Sequence, residues 1–414
     1  MPLKCARRTE CRLCGSTALE LVISLRPTPP ANAFVPADLV GQPQECFPLE
    51  VYFCKQCSHA QLLDIVDPQE LFCNYVYVSG TSPSFVKHFE DYADQLVRAY
   101  QPASGALVVD IGSNDGTILA CFKRRGLRVL GIDPARAIAE AATTAGIETW
   151  AAFFDLEVAN RIVEERGTAK LLTANNVFAH ADNLNQMAES VRALLAPDGV
   201  FTFEVSYLVD VYSDTLFDTI YHEHLSYHSI RPLIGFFFMH GLELFRVDRV
   251  PSHGGSIRGH VQHRGAPHQK DDSVAQLSEL EGSLGLDKAD TLRQFGAKID
   301  LVRDALVDLL RKLKTEGKRI AGFGAPAKAT TLMYHFGIGA DQIEFIVDDS
   351  PLKQGLFSPG MHIPVLPSSE LIVRQPDYTV ILAWNFAEAI VAQNHRYLHA
   401  GGHFIVPLPN IKVI

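Results

Sequence analysis

Apolar runs of strand length alternate with stretches of helical periodicity through the middle of the chain. "ALVVDIGSNDGTILACFKRRGLRVLGIDPARAIAEAATTAGI" (106–147) reads as strand, turn, helix, strand, helix. "AKLLTANNVFAH" (169–180) predicts a further strand ending in a polar loop, and "ALLAPDGVFTFEVS" (193–206) a helix, a Pro-Asp-Gly turn and another strand. Two strand-like pieces flank the glycines of "VDRVPSHGGSIRGHVQHRG" (247–265), and 273–317 has helical periodicity with a break near Gly282 to Gly285. A second unit follows: "KRIAGFGAPAKATTLMYHFGI" (318–338) predicts strand, turn and helix, and "EFIVDDSPLKQG" (344–355) a strand ending in Asp348 and Asp349. Strand–helix alternation of this kind predicts an α/β class with a doubly wound, largely parallel sheet and a second Rossmann-like unit at the C-terminus.

At 414 residues the chain is too long for one core, so two or three domains are expected. With 47% hydrophobic and 20% charged residues it has an ordinary globular composition, and no apolar run reaches the roughly 18–20 residues that span a bilayer. The start, "MPLKCARRTECRLC", lacks the apolar stretch of a secretion signal, so the expected location is cytoplasmic. A formal charge of −10 argues against a nucleic-acid partner, which requires clustered Lys and Arg. The expected partner is a small molecule, with no membrane and no nucleic acid, on a monomer or small homo-oligomer.

Eight cysteines change the picture through their spacing. Cys11–Cys14 and Cys54–Cys57 are two C-x2-C knuckles separated by 39 residues, a pattern that brings four thiolates to one tetrahedral zinc. A redox pair or inert thiols are the alternatives, and His59 is a possible substitute ligand. Four thiolates leave no open coordination position, which makes the zinc structural. The stretch between the knuckles, including "SLRPTPPANAFVP", has too little core to fold without its metal.

The first strand–helix turn, Gly112-Ser113-Asn114-Asp115-Gly116, has glycines where backbone approaches a ligand, but its acidic flank disfavours a pyrophosphate. S-adenosylmethionine carries a sulfonium and an amino-acid moiety, which carboxylates favour. Asp133 ends the next strand, 21 residues after Gly112, where an acid can take both ribose hydroxyls. In the second unit the Gly322-Phe323-Gly324 turn stands near Lys328 and Lys353, a combination suited to an anion such as a diphosphate, or else a structural repeat of the fold.

"FDTIYHEHLSYHS" (217–229) concentrates Tyr221, His222, Glu223, His224, Tyr227 and His228. Histidines at i, i+2 suit a metal pair on a strand, whereas Tyr221 and His224 share a face only on a helical turn. His228, His240, His253, His260, His263 and His268 read as surface or packing residues.

The knuckles, the tyrosine-rich "NYVYVSG", "DIGSNDG", "ANN" with His180, "YHEH", "HGGSIR", "GFGAPAKA", "DDSPLKQG" and "PGMHIPV" together resemble the S-adenosylmethionine-dependent sugar C-methyltransferases. The likeness covers nearly the whole chain. It implies a zinc-binding module (1–72), a class I methyltransferase domain (73–270), a helical connector (271–317) and a Rossmann-like domain (318–414) that helps hold a nucleotide sugar. It also implies zinc on Cys11, Cys14, Cys54 and Cys57. S-adenosylmethionine would lie along Tyr75, Asp110, Gly112, Ser113, Asn114 and Asp133, with Phe153 and Phe154 near its adenine and Asn175 near its methionine end. Tyr221, Glu223 and His224 would be catalytic, with His180 and Tyr75 or Tyr77 beside them. Lys328, Lys353 and His362 would touch the substrate.

Methylating carbon requires a carbanion equivalent, so a base must stand near a proton made acidic by an adjacent ketone, and a donor near the developing enolate. The function expected from the resemblance is methyl transfer to carbon beside a ketone, typically C-3 of a nucleotide-linked 4-keto deoxysugar, with His224 as base and Tyr221 on the same face. A second metal at His222 and His224 has no chemical purpose. An O- or N-methyltransferase and a zinc-ribbon nucleotide sensor are the alternatives.

Overall fold

The computed structural model describes residues 4–73 and 83–414. Tyr75 and Tyr77 lie outside the described residues.

The N-terminal module is built on an antiparallel sheet of β1 (Leu19–Thr28), β2 (Phe47–Cys54) and β3 (Ala60–Leu62). Its fourth strand comes from far along the chain: Ser226–Tyr227 pairs antiparallel with β3, Ser226 opposite Gln61 and Tyr227 opposite Ala60. Two backbone bonds carry this junction onward, from Leu62 N–H to the Leu225 carbonyl (2.9 Å) and from Leu225 N–H to the Ala179 carbonyl (2.9 Å).

The central sheet comprises β4 (Leu107–Ile111), β5 (Arg128–Asp133), β6 (Thr149–Ala151), β7 (Ala169–Asn175), β8 (Leu195–Ser206), β9 (Leu242–Val250) and β10 (Ser256–His263). Their spatial order is β6-β5-β4-β7-β8-β10-β9. The chain steps outward from β4 in both directions, which opens a crevice above the carboxyl ends of β4 and β7. β10 runs antiparallel to β8 and β9, so the sheet is mixed where the sequence predicts a mainly parallel one. The cause is the short connection through Ser252–Gly254, too tight for a crossover helix. Gly255, at φ +131°, closes it: a Cβ there would stand 2.4 Å from the Cβ of Asp210. The Pro-Asp-Gly turn is also absorbed, since β8 is continuous and carries a register shift between Leu195 and Val200. Phe178, Phe203 and Phe237 pack beneath the sheet with ring centroids 5.0–5.8 Å apart.

The C-terminal sheet has four central parallel strands, β11 (Ile320–Phe323), β12 (Ile346–Val347), β14 (Tyr378–Ile381) and β15 (His403–Val406), with β13 (Val365–Leu366) at one edge. β16 (Lys412–Val413) adds antiparallel to β15 at the other. Both α/β units repeat one device at the first turn. Asp133 accepts from Asn114 N–H (2.8 Å) and Ala135 N–H (2.9 Å); Asp348 accepts from Ala325 N–H (2.6 Å) and Ser350 N–H (2.8 Å).

The predicted connector is two helices, Asp272–Ser283 and Ala289–Thr315, broken at 284–288. Glu281 on the first is buried and accepts from Ile230 N–H (2.6 Å), Arg231 N–H (3.1 Å) and the Tyr207 hydroxyl (2.9 Å), capping helix Ile230–Met239, whose own N-cap Ser229 makes no side-chain cap. The helix Ala327–Phe336 joins all three parts: Thr330 donates to the Ala31 carbonyl (3.0 Å) and Thr331 to the Ile220 carbonyl (2.8 Å). No described helix is long and apolar enough to cross a membrane.

Candidate active site

Cys11, Cys14, Cys54 and Cys57 converge, their sulfurs all within 4.8 Å of one another, with Cys11–Cys57 and Cys14–Cys54 at 3.6 Å. A tetrahedron of thiolates about 2.3 Å from zinc has edges of about 3.8 Å, so the donor set fits the metal. His59 is no substitute ligand: it is buried away from the cluster, its Nε2 3.2 Å from the Ser226 hydroxyl. Among the described residues this is the one group of donors close enough to hold a metal.

A cavity of about 1110 Å³ lies where the three parts meet. Asn32, Asp67 and Phe72 come from the N-terminal side, Pro326, Ala327, Lys328 and Asp349–Lys353 from the C-terminal unit, and the carboxyl ends of β4, β5 and β7 form its floor. Asp110, Gly112, Ser113, Asn114, Asp133, Phe153, Phe154 and Asn175 all line it. Gly112 (φ +67°) cannot carry a side chain, because a Cβ would meet the Val177 Cγ2 at 2.3 Å. Asp110 is buried, which pushes its carboxyl up to about 7 despite the Thr173 hydroxyl donating to it at 2.5 Å. Asp133 is raised in the same direction by burial, opposed by the two backbone N–H groups on it.

The 217–229 stretch divides among several destinations. Tyr221 to His224 is a hydrogen-bonded turn, His224 N–H to the Tyr221 carbonyl at 2.8 Å, rather than the helical turn expected. That turn still puts both rings on the cavity wall, centroids 4.1 Å apart, with the Tyr221 hydroxyl 2.9 Å from His224 Nε2. His224 Nδ1 lies 2.8 Å from the Thr219 carbonyl, which can only accept, and 3.1 Å from the Thr219 hydroxyl, which can do either; the shorter contact favours the proton on Nδ1, with Nε2 accepting from Tyr221. His180 lies beside them, its ring centroid 5.0 Å from that of His224 and 5.6 Å from that of Phe72.

His222 and Glu223 turn away. His222 is buried and donates from Nε2 towards the Phe47 and Pro48 carbonyls (3.3 and 3.2 Å), so it forms no metal pair with His224. Glu223 is buried and accepts from Asn32 Nδ2 at 2.9 Å, and Asn32 lines the cavity. His228 is fully buried against Phe178 and His59, a packing residue as expected.

On the C-terminal wall, Lys353 donates to the Ala325 carbonyl (2.9 Å). Lys328 is held 4.0 Å from the Asp218 carboxylate and 4.1 Å over the Trp384 ring, and burial lowers its pKa while Asp218 opposes that. Both lysines line the cavity, whereas His362 does not: its Nδ1 accepts from Gly41 N–H at 3.1 Å, on the surface between the terminal units. Sequence reasoning missed Asp218, Thr219 and Trp384. The first two stand inside the stretch already singled out, but nothing local marks them as partners of His224 and Lys328.

Compared with known proteins, the chain matches three family models: a zinc binding domain over residues 11–72, a methyltransferase domain over 85–246 and a C-methyltransferase C-terminal domain over 251–409. It is 37% identical over 405 residues to the C-methyltransferase NovU of Streptomyces niveus, covering 98% of this chain and 96% of that protein. The chain belongs to the C-methyltransferase family. Solved structures similar to part of it include an S-adenosylmethionine-dependent methyltransferase from Anabaena variabilis (14% identical, 43% of this chain and 95% of that one, TM-score 0.34). Another is magnesium protoporphyrin IX methyltransferase from Synechocystis with bound SAH (15%, 42% and 82%, TM-score 0.33).

This C-methyltransferase uses S-adenosylmethionine, and the crevice residues fit that cofactor. Both polar atoms of the Asn175 carboxamide and the Ser113 hydroxyl are buried at the cavity wall without a hydrogen-bond partner among the described residues. Such groups are completed by a polar ligand or by water, and the cofactor's polar groups can fill that role. The cofactor supplies an electrophilic methyl group when bound. The zinc cluster stands apart from this cavity, none of its cysteines lining it.

Proposed function

We propose that this C-methyltransferase acts on the carbon beside a ketone in a nucleotide-linked deoxysugar, C-3 of a 4-keto sugar, through an enolate formed at His224. The observation that carries the reading is the tautomer: with Nδ1–H fixed on the Thr219 carbonyl, Nε2 presents its lone pair at the cavity wall. In this reading the acceptor displaces the Tyr221 hydroxyl from Nε2. Nε2 then takes the proton from carbon, and the C–H electron pair moves into the enolate. The freed Tyr221 hydroxyl donates to the enolate oxygen. The enolate carbon accepts the methyl group, and the imidazolium gives its proton to water. His180 flanks this pair, and Glu223 acts by orienting Asn32. Asp133 takes the ribose of the cofactor, Phe153 and Phe154 border its adenine, and Asn175 meets its methionine end.

The same reading assigns the nucleotide part to the C-terminal unit. The N-terminus of helix Ala327–Phe336 and Lys353 face the cavity, which supports an anionic group there. The test is isotope exchange in deuterated water, with thymidine diphosphate 4-keto-6-deoxyglucose and a cofactor analogue that cannot transfer methyl. Wild-type enzyme should wash deuterium into the carbon beside the carbonyl, and His224→Gln should slow exchange and methylation together by about 10²–10⁴-fold. Exchange at the wild-type rate in His224→Gln would remove His224 as the base.

A further inference from the structure

Asp218 is a fully buried carboxylate that the reaction above does not use. Its Oδ2 accepts from the Trp384 indole N–H at 2.6 Å and faces Lys328 Nζ at 4.0 Å, beyond hydrogen-bond reach. Its Oδ1 has no hydrogen-bond partner among the described residues. Asn385, next to Trp384 in the chain, likewise leaves its Oδ1 buried and without a partner among them. Both residues line the cavity. Two unmatched acceptors in one wall are costly unless water or a ligand brings donors, and a ligand filling the cavity must replace any water there with donors of its own. The Lys328 charge already offsets that of Asp218, so the corner calls for a neutral donor more than for a second cation.

Two neighbours place the corner along the cavity. Asp218 directly precedes Thr219, whose carbonyl holds His224 Nδ1, and it faces Lys328 in the first turn of helix Ala327–Phe336, so the corner lies where the wall carrying the base meets the wall assigned to the nucleotide. We propose that Asp218 and Asn385 form a specificity subsite that accepts hydrogen bonds from a ring hydroxyl or amino group of the sugar being methylated. This rests on the nucleotide-sugar reading. Trp384 fixes the orientation of Asp218 by its indole N–H, and Lys328 favours the ionised carboxylate against the burial that raises its pKa, without taking up Oδ1.

The experiment compares wild type, Asp218→Asn and Asn385→Ala on thymidine diphosphate 4-keto-6-deoxyhexoses carrying hydroxyl, amino or hydrogen at C-2 or C-3. Wild type should prefer a donor-bearing sugar over its deoxy counterpart by about ten- to a hundredfold in kcat/KM, the worth of a hydrogen bond to a charged group. Asp218→Asn must turn its amide nitrogen to one of the two donors, so it should lose most of that preference. Asn385→Ala should lose part of it. Calorimetry should give unchanged affinity for S-adenosylmethionine and for thymidine diphosphate alone in both variants, which also reports that they are folded. A preference retained in both variants overturns the subsite. Weakened binding of free thymidine diphosphate would move the subsite from the sugar to the nucleotide and overturns it as well. If wild type binds none of the sugars while still binding S-adenosylmethionine, the nucleotide-sugar reading fails and takes the subsite with it.

Discussion

Removing the Tyr221 hydroxyl tests the division of labour at the base. In the resting enzyme that hydroxyl lies 2.9 Å from His224 Nε2, a bond worth about 0.5–1.5 kcal/mol net that must break before Nε2 can reach carbon. Tyr221→Phe therefore frees the base by that amount. It also removes the donor to the enolate oxygen, and losing one donor to a developing oxyanion costs about 2.7–4 kcal/mol. The difference is about 2 kcal/mol, or about thirtyfold in kcat. His224→Gln alone should cost about 10²–10⁴-fold. Because the donor matters only once an enolate forms, the double variant should fall no more than about threefold below His224→Gln. The assay is single-turnover methylation run beside deuterium exchange, so that chemistry is separated from product release. A full product of the two single losses in the double variant would refute the paired roles. So would a Tyr221→Phe enzyme within twofold of wild type.

Further outcomes follow from other parts of the molecule. Cys54→Ser should lower zinc from about one per chain and destabilise the N-terminal module, read by metal analysis and limited proteolysis; full occupancy in the variant would count against the cluster. Asp133→Ala should weaken S-adenosylmethionine by about 10–100-fold and leave thymidine diphosphate nearly unaffected, whereas Lys353→Ala should do the reverse; calorimetry separates this from general unfolding, which would lower both. Glu281→Ala strands two backbone N–H groups and the Tyr207 hydroxyl, and should cost about 3 kcal/mol in chemical unfolding, with Glu281→Gln recovering part of it. Burial pushes the His228 imidazole down to about 4, so its neutral ring contributes stability in full above about pH 6.5 and loses it as pH falls towards 4. Over that window about 3 kcal/mol is lost, and thermal unfolding of His228→Gln should show a shallower acid slope than wild type.

What the sequence determined by itself is what short-range chemistry specifies. Paired C-x2-C knuckles are legible because four thiolates suit one ion, and the strand–turn–helix units because their periodicity and glycine turns act within a few residues. The cofactor class could be read from the acidic Gly112–Gly116 turn and Asp133 for the same reason. The fate of "FDTIYHEHLSYHS" was not legible, since its residues are sorted by partners remote in the chain. His222 is claimed by the carbonyls of Phe47 and Pro48, Glu223 by Asn32, Ser226–Tyr227 by the edge of β3, and Asp218 by Trp384. Lys328 reads from its turn as a cation for an anion, but folding brings it to Asp218 and to the face of Trp384. A side chain's spacing along the chain limits which neighbours share its face. Which backbone carbonyl, carboxylate or ring it then meets is decided by how three separately built sheets are packed around one cavity.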